Sequence, residues 1–328
     1  MASVLVLGRG EVTDALPIGE CIEAIADVLA AQARAEVHQP LRSVTTPPSS
    51  EGFMGLMPAH RGGERPLFAL KAVCIFPGNP ARGLDAHQGT VTLFDGATGE
   101  PTAILDASAL TAIRTAAVSA LATRLLAADD ARELAILGAG VQAAAHLEAL
   151  LAVRNFDRVR VYSPTREHAE RLAREAGDRA RVEVCDDAER AVRGAQVVVT
   201  VTTSREPVLR REWLAEGAHL NAVGASSPSS RELDTATVAA CSLFVDSRES
   251  VLNEAGEYRL AVSEGAIEGP GHIRAELGEV VAGLHAGRTG PDELTVFRSL
   301  GLAIEDLAAA EHAVESARRA GAGVEVEL

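Results

Sequence analysis

The order of hydrophobic and polar positions predicts a first segment built on a sheet and flanking helices. Apolar residues recur at spacings of four, three and four, which predicts an amphipathic helix through residues 18–29. A loop rich in proline and serine at 40–50 separates it from three β-like runs, which are 67–76, 90–94 and 102–105. Because these runs follow each other without helices between them, an antiparallel or mixed sheet is expected.

From residue 132 onward, strands alternate with helices. Apolar strands are predicted at 133–137, 158–162, 182–185, 196–202, 220–223 and 243–245. This alternation is typical of a doubly wound parallel sheet, so the predicted fold class is α/β. A long helix at about 108–128 precedes the alternating segment, and an Ala-rich helix follows it at 301–320. The apolar stripe of the last helix is expected to pack on the N-terminal domain.

Length and charge narrow the class of protein. A chain of 328 residues is expected to form two domains. The formal net charge of −15 argues against a nucleic acid or an anionic membrane as partner. The four cysteines show neither CxxC spacing nor a neighbouring histidine cluster, so neither a disulfide framework nor a metal site is expected. With no signal segment and no apolar run of ~20 residues, the sequence predicts a soluble cytoplasmic protein.

A glycine-rich turn indicates a dinucleotide site. Residues 138–143 fit the pattern G-x-G-x-x-A, directly after a predicted strand and at the start of a helix. Gly138 permits a tight turn, and Gly140 lets the backbone approach a pyrophosphate. Val141 and Gln142 open the helix whose N-terminus faces the phosphates. The sequence therefore predicts a nicotinamide dinucleotide, and the alternative is a glycine turn that binds nothing.

The end of the second strand of this domain bears on the choice of cofactor. NAD sites usually carry an acidic residue there for the ribose 2′-hydroxyl, but this strand runs into Ser163, Pro164, Thr165 and Arg166. Two hydroxyls and a guanidinium can bind a 2′-phosphate that a carboxylate would repel. NADP(H) is therefore the preferred prediction and NAD(H) the alternative, unless Arg166 is a solvated residue of the first helical turn.

Lys71 is the one lysine among 31 basic residues, and it lies within an apolar β-like run. Strand alternation places it on one face with Ala69 and Val73. Burial there lowers the pKa of the ammonium unless an anion compensates, and either outcome suits a proton donor or a carboxylate ligand. The alternative is an edge-strand lysine whose ammonium reaches solvent.

Two arginines are further candidates for binding an anion. Arg114 lies in a predicted helix with no acid three or four positions away. Its guanidinium needs a partner from elsewhere in the fold or from a ligand, and a salt bridge within the protein explains it as well as a substrate carboxylate does. Arg42, in a Q-P-L-R segment, is a weaker candidate of the same kind.

These residues, taken together, resemble the ornithine cyclodeaminase/mu-crystallin family over nearly the whole chain. The matching segments are 39–42, 55–59, Lys71, 87–91, 111–117, 138–142, 221–226, 231–234 and 295–301. The resemblance implies a homodimer with an inserted Rossmann domain at 119–301. The surrounding α+β domain, which would bind substrate and form the dimer, is then 1–118 plus 302–328.

The resemblance also implies roles for particular residues. Those matching the family's substrate site are Arg42, Met57, Lys71, Arg114 and Ser226. Those matching its cofactor site, besides the turn and the residues after the second strand, are Thr90, Thr202, Ser226 and Ser299. Lys71 would supply a proton or fix the substrate carboxylate, and the sequence leaves both open. His87 is a second candidate proton donor, or equally a structural histidine.

One departure from the family pattern decides the branch. Ornithine cyclodeaminases and the related alanine dehydrogenases carry an aspartate where this chain has Ser226, in the segment G-A-S-S-P-S-S-R-E-L. A serine cannot act as a carboxylate base near neutral pH. The segment is similar to the ketimine reductase branch, which tends to use NADPH. Pro164 stands where that branch has an arginine, so a 2′-phosphate contact would fall to Arg166.

The sequence therefore predicts an oxidoreductase that reduces cyclic α-imino acids with NAD(P)H. Δ1-pyrroline-2-carboxylate and Δ1-piperideine-2-carboxylate would give proline and pipecolate. Reducing a C=N bond needs a hydride and a proton but no water, so the loss of the aspartate is tolerable. The alternatives are an ornithine cyclodeaminase or alanine dehydrogenase, and a non-catalytic NADP(H)-dependent ligand-binding protein. Three retained cations argue against an apolar ligand.

Overall fold

The chain divides into two compact units in the computed structural model, which describes residues 3–327 and leaves Met1, Ala2 and Leu328 outside the described part. Unit 1 takes the residues up to Arg114 and again from Gly301 on, and unit 2 is Thr115–Leu300. The boundaries thus fall after 114 and 300, where the sequence placed them after 118 and 301. The first boundary lies inside a continuous helix, Ala107–Leu126, so no break in the hydrophobic pattern marks it.

Unit 1 is a sheet of eight strands with helices. Its strands are β1 (Ser3–Leu7), β2 (Val37–His38), β3 (Ser43–Thr45), β4 (Phe53–Arg61), β5 (Leu67–Ile75), β6 (His87–Asp95), β7 (Pro101–Asp106) and, at the end of the chain, β16 (Val324–Glu327). Its helices are α1 (Arg9–Ala15), α2 (Ile18–Ala33), the start of α3 (Ala107–Leu126) and α11 (Ala303–Ala320). A short 3₁₀ turn occupies Asn79–Arg82.

The sheet of unit 1 is mixed, as the sequence predicts. Its strand order is β16-β1-β7-β6-β5-β4-β2, with β3 also paired to β4. β1 and β7 are parallel, and the other pairs are antiparallel. The sequence missed β4, whose Pro58 argues against a strand interior. Pro58 is tolerated because it falls between the segments that pair with β3 and with β2, where its missing N–H breaks no ladder bond.

One face of this sheet is covered and the other is open. α11 packs against β4, β5, β6 and α2, which confirms that the last helix belongs to the N-terminal domain. α2 buries Ile22, Ile25 and Leu29, and so confirms the predicted amphipathic helix. On the open face, Met54 is 42% and Phe68 45% exposed.

Unit 2 is a doubly wound parallel sheet, and the predicted Rossmann-type fold is confirmed. Its strands are β8 (Glu133–Leu137), β9 (Arg158–Tyr162), β10 (Val182–Val184), β11 (Val197–Thr200), β12 (His219–Ala222), β13 (Ser242–Val245), β14 (Ile273–Glu276) and β15 (Thr295–Arg298). Their order is β10-β9-β8-β11-β12-β15-β13-β14, with every pair parallel. The sequence missed β14 and β15, whose I-R-A-E and T-V-F-R segments are short and carry charged residues.

Helices and 3₁₀ turns connect these strands. The helices are the remainder of α3, α4 (Val141–Val153), α5 (Arg166–Ala176), α6 (Ala188–Val192), α7 (Thr235–Ala240), α8 (Arg248–Glu254), α9 (Gly256–Ser263) and α10 (Leu277–Val281). The 3₁₀ turns are Gly177–Arg179, Arg211–Trp213 and Pro270–His272. Buried valines, leucines and alanines on both faces of the sheet form two apolar clusters that hold these layers together.

α3 is the one helix among the described residues that is long and apolar enough to cross a membrane. Its most apolar window is 67% buried within the protein, as the core helix of a globular protein would be. All four cysteines are free thiols. Within 3–327, no group of three or more histidine, cysteine or acidic side chains is placed to hold a metal ion.

Candidate active site

Lys71 lies at the centre of the unit 1 sheet. It is in β5, between β4 and β6, and its cross-strand neighbours are Met57 and Val91. Its side chain is 3% exposed and shares the covered face with Ala69 and Val73, as the alternation predicts. An edge-strand lysine reaching solvent is therefore the wrong explanation. Met57, predicted to bind substrate, is itself buried beside it.

Two carboxylates from α11 meet Lys71 and Arg114. Asp306 Oδ2 is 2.7 Å from Lys71 Nζ, and Asp306 Oδ1 accepts a hydrogen bond of 2.9 Å from Arg114 Nε. Arg114 Nη1 donates to Glu305 Oε2 at 2.9 Å. All four side chains are almost fully buried. Arg114 thus forms the salt bridge within the protein that the sequence left open, and its partners come from the far end of the chain.

Arg42 approaches the same place through Gly301. Arg42 Nη2 donates to the Gly301 carbonyl at 3.1 Å. Gly301 has φ +80°, and a Cβ on it would stand 2.7 Å from Arg114 Nη1. Only glycine fits there, because both the left-handed backbone and the close guanidinium exclude a side chain. The structure therefore brings the three predicted cations together.

We call Arg42, Lys71, Arg114, Glu305 and Asp306 the cation cluster. Its five side chains carry three positive and two negative charges. The sequence missed both acids, which look like ordinary acidic residues in the first turn of a helix. A signal was available, since apolar residues flank the pair on both sides in an Ala-rich segment.

The electrostatics of the cluster favour a labile proton on Lys71. Burial lowers the pKa of Lys71 to about 8, against the charge of Asp306, which raises it, while Arg114 and Arg42 lower it further. Burial alone would raise the pKa of Asp306, but Arg114 and Lys71 outweigh it and hold that pKa below its ordinary value. Lys71 is thus an acid that can give up its proton near neutral pH, beside a carboxylate that stays ionised.

His87 begins β6 on the same sheet face as Lys71, opposite Ile75. Partial desolvation of the imidazole lowers the pKa of His87, and the positive charges of Lys71 and Arg114 lower it further. The imidazole is therefore neutral near pH 7, which makes Lys71 the better proton donor of the two. Thr90, by contrast, is an exposed residue on the opposite face of the sheet.

The turn between β8 and α4 has the geometry that the glycine motif predicts. Gly138 has φ +117°, its N–H donates to the Tyr162 carbonyl, and a Cβ on it would lie 2.6 Å from the Val201 carbonyl oxygen. Gly140 is the N-cap of α4, with open space where a Cβ would point. Ala143 is fully buried, which permits close packing of the helix.

Two buried side-chain oxygens fit a dinucleotide that spans the carboxyl ends of the strands, one beside this turn and one after β15. Gln142 Oε1 and Ser299 Oγ are buried, and neither has a hydrogen-bond partner within the described part of the chain. Val141 opens α4 with 67% of its surface exposed. The turn would hold the pyrophosphate on backbone N–H groups at the helix N-terminus, and the orphaned oxygens would take further polar groups of the cofactor.

Two carboxylates approach Arg166 at the end of β9, although no acidic residue directly follows the strand in the sequence. Arg166 donates to Glu170 at 2.9 Å and to Asp186 at 2.5 Å. Ser163 Oγ accepts a bond from the Thr165 N–H. Arg166 is therefore not simply a solvated residue, because it is paired with two carboxylates. A 2′-phosphate would have to compete with both of them for the guanidinium.

Thr202 and Ser226 lie in the loops that follow β11 and β12. Ser226 is exposed, and the Thr202 N–H donates to Glu232 Oε1 at 2.7 Å. Glu232 is fully buried, yet in sequence it looks like a solvated residue of an R-E-L-D segment. It is the third functional candidate that the sequence missed.

A parallel Rossmann sheet with a dinucleotide turn, and a buried cation cluster suited to a carboxylate, define the class of nicotinamide-dependent oxidoreductases. The model of the ornithine cyclodeaminase/mu-crystallin family matches residues 3–321. The chain belongs to this family, as the sequence motifs predict.

Relatives of established activity include reductases of C=N bonds. The ketimine reductase mu-crystallin of Mus musculus is 43% identical over 281 residues, 85% of each chain. The structure of Thermococcus litoralis Δ1-pyrroline-2-carboxylate reductase, in complex with NADH and L-proline, has a TM-score of 0.92 and 36% identity, covering 98% of this chain and 100% of that one. An archaeal alanine dehydrogenase dimer with bound NAD has a TM-score of 0.93 and 34% identity, covering 99% of each.

Proposed function

We propose that this protein reduces cyclic α-imino acids with NAD(P)H, taking Δ1-pyrroline-2-carboxylate or Δ1-piperideine-2-carboxylate to proline or pipecolate. The observation that carries the proposal is the cation cluster, where three positive charges face two carboxylates around the buried Lys71. The guanidinium groups of this cluster would bind the carboxylate of the substrate. A reductase acting on Δ1-pyrroline-2-carboxylate shares the fold over its whole length.

The reaction needs little from the protein beyond positioning and a proton. A nicotinamide cofactor, when bound, would supply a hydride to C2 of the ring. The electron pair of the C=N bond then moves to nitrogen, which takes one proton if the imine arrives unprotonated. No water is added and no ammonia leaves, so no carboxylate base is required. Ser226 in place of the family's aspartate suits this chemistry and disfavours ammonia release.

The residues of the cluster divide the remaining tasks. Arg42 and Arg114 bind the substrate carboxylate, and their positions are set beforehand by Gly301, Glu305 and Asp306. Such preorganisation reduces the entropic cost of binding the substrate. Lys71, whose pKa is about 8, gives its proton to the imine nitrogen and regains one from solvent.

One assay tests this function. Oxidation of NADPH and of NADH is followed with pyrroline-2-carboxylate, with piperideine-2-carboxylate, and with pyruvate plus methylamine. We expect turnover of the cyclic substrates. Ammonia formed from ornithine, or pyruvate formed from alanine with stoichiometric NAD⁺ reduction, would instead identify a cyclodeaminase or an alanine dehydrogenase. Binding of NADPH without any oxidation would favour a ligand-binding protein.

We also propose that the enzyme prefers NADP(H) and accepts NAD(H). The absence of an acid at the end of β9 supports NADP(H), while the carboxylates already on Arg166 reduce the preference. Asp186 is 66% exposed, and an exposed ion pair contributes only ~0–1 kcal/mol. A 2′-phosphate could therefore displace Asp186 at little cost.

The Asp186→Asn variant should shift cofactor choice toward NADPH. The change removes one of the two carboxylates that compete with the 2′-phosphate for Arg166, so the ratio of kcat/KM for NADPH over NADH should rise about fivefold. The ratio is measured at one fixed imine concentration and low salt. Asp178→Asn, which removes an exposed acid elsewhere in unit 2, should leave it unchanged. An unchanged ratio in Asp186→Asn would mean that Arg166 does not meet the 2′-phosphate.

We propose that the protein is a homodimer formed through the open face of the unit 1 sheet. Met54 and Phe68 leave 42% and 45% of their surfaces exposed on that face, and large apolar side chains exposed on a sheet favour a protein–protein contact. The alanine dehydrogenase with the same fold is a dimer.

Light scattering after gel filtration tests the dimer. The wild-type mass should be twice 34.2 kDa, and Phe68→Glu should run as a monomer at micromolar concentration, because it places a charge on the apolar face. Val262→Glu, at an exposed apolar residue of unit 2, should remain dimeric. A dimeric Phe68→Glu would place the interface elsewhere.

A further inference from the structure

Glu232 is a buried carboxylate that four donors satisfy completely. Its Oε1 accepts the Thr202 N–H at 2.7 Å. Its Oε2 accepts the Thr200 hydroxyl at 2.9 Å, the Gly224 N–H at 2.7 Å and the Ala225 N–H at 3.3 Å. The side chain has no exposed surface. No basic side chain of residues 3–327 forms an ion pair with it, so these donors alone offset its burial.

The four donors come from the ends of two neighbouring strands. Thr200 ends β11, and Thr202 follows it. Gly224 and Ala225 follow the end of β12. The two loops approach so closely that a Cβ on Gly224 would lie 2.2 Å from the Thr202 carbonyl oxygen and 2.6 Å from Glu232 Oε1. Glu232 therefore ties two strand ends into one rigid unit.

The loop after β12 is held from its other side as well. The Arg298 guanidinium donates to the carbonyls of Ala222, at 2.8 Å, and of Ala225. Arg298 Nε is in turn 3.0 Å from Glu257 Oε1. Ala225, the residue that precedes Ser226, is thus fixed at its N–H by Glu232 and at its carbonyl by Arg298. The position of Ser226 on the backbone is strongly determined.

Glu232 is itself held at its backbone. Its carbonyl accepts the N–H groups of Val208 and Leu209, at 2.8 and 3.1 Å. Leu233, the next residue, forms an isolated parallel bridge with Leu209 and is buried. The carboxylate therefore projects from a fixed base, as a positioning group requires.

We propose that Glu232 is the positioning residue for the nicotinamide half of the cofactor. A doubly wound sheet binds a dinucleotide outside the carboxyl ends of its strands, with one mononucleotide on each half. The glycine turn and the end of β9 belong to the half that takes the adenosine side. The strands β11 and β12 belong to the other half, and Glu232 sets the places of Thr202 and Ser226 there. This inference rests on the proposed use of a nicotinamide cofactor, not on the identity of the imino acid.

Glu232→Gln tests the proposal through binding as well as turnover. The amide keeps the shape of the side chain but turns one acceptor into a donor that faces an N–H group, so the two loops separate at that contact. Calorimetry compares NADH with ADP-ribose, or NADPH with 2′-phospho-ADP-ribose, which lack the nicotinamide. The Kd of the whole cofactor should rise about tenfold, and that of the truncated ligand should stay within about twofold.

Asp234→Asn is the matched control. It removes the same charge two residues away, from a carboxylate that caps α7 through the Thr237 N–H and does not touch the strand ends. It should change neither Kd. If Glu232→Gln does not fold, Thr200→Val removes one donor with almost no change of volume. It should raise the Kd of the whole cofactor about threefold and leave the Kd of the truncated ligand unchanged.

Three outcomes are informative. Equal weakening of both ligands would overturn the proposal, since it would show a general loss of structure. No weakening of either would overturn it as well. A wild-type protein that binds both ligands but reduces no cyclic imine would defeat the proposed reaction, while the binding comparison would still decide the role of Glu232.

Discussion

Lys71→Arg should lower kcat/KM for the cyclic imine by about 100-fold or more while leaving a folded protein. The guanidinium keeps the positive charge next to Asp306, but it holds its proton near neutral pH and so cannot donate one. The pH profile should change as well. Lys71 is protonated below its pKa of about 8, so wild-type kcat/KM should fall as the pH rises through that value. Lys71→Arg should lack this limb.

His87→Gln separates the two candidate donors. Because the pKa of His87 is lowered, its loss should cost only a few-fold in kcat/KM and should leave the limb near pH 8 in place. Since the chain has one lysine, biosynthetic labelling with ¹³C-lysine gives signals from this side chain alone, and NMR can follow its titration directly. Wild-type turnover in Lys71→Arg would show that any cation suffices at this position.

Asp306→Asn should have the largest effect on stability. It leaves Lys71 and Arg114 buried with one carboxylate fewer, and breaking a buried ion pair in this way costs about 3–5 kcal/mol. The Tm should fall by roughly 10 °C. Because the charge of Asp306 raises the pKa of Lys71, its removal should also move the alkaline limb of kcat/KM below pH 8.

Glu311→Gln supplies the comparison on the same helix. It breaks the pair with Arg61, whose side chains are 27% and 23% exposed, away from the cation cluster. We expect a smaller loss of Tm and an unmoved limb. If the Tm of both variants fell by the same amount, and if the alkaline limb of kcat/KM stayed in place in Asp306→Asn, Asp306 would have only an ordinary structural role.

The sequence predicted those site residues whose local surroundings contradict their chemistry. Lys71 sits in an apolar strand, and Arg114 lacks a helical acid, so each requires a partner from outside its own segment. The glycine turn was predictable for the same reason, since a Cβ has no room at Gly138. A conflict within ten residues of chain can be detected without knowing what lies across the fold.

The sequence did not predict Glu305, Asp306 and Glu232 as site residues, because each is compatible with its neighbours in the sequence. Two acids in a first helical turn complement the helix dipole, and a glutamate beside an arginine reads as a solvated pair. Their functions arise from contacts across long stretches of sequence, Lys71 with Asp306 and Thr200 with Glu232. Such pairings depend on topology, which hydrophobic periodicity does not encode.

The fold was predicted where elements are long and regular. The predicted strands 133–137 and 158–162 of unit 2 match the structure residue for residue. The edge strand β16 was missed, because its V-E-V-E pattern is short and its pairing with β1 joins the two ends of the chain.

That pairing has a consequence for how the protein is made. Unit 2 is one continuous stretch, so it can fold as soon as it leaves the ribosome. Unit 1 cannot be completed then, because β16 pairs with β1 and α11 packs on β5, and both are translated after unit 2. The sheet that carries Lys71 therefore remains incomplete during the synthesis of unit 2, because the helix that carries Asp306 has not yet been made. We therefore expect unit 2 to assemble before unit 1, with the ion pairs of the cation cluster among the last native contacts to form.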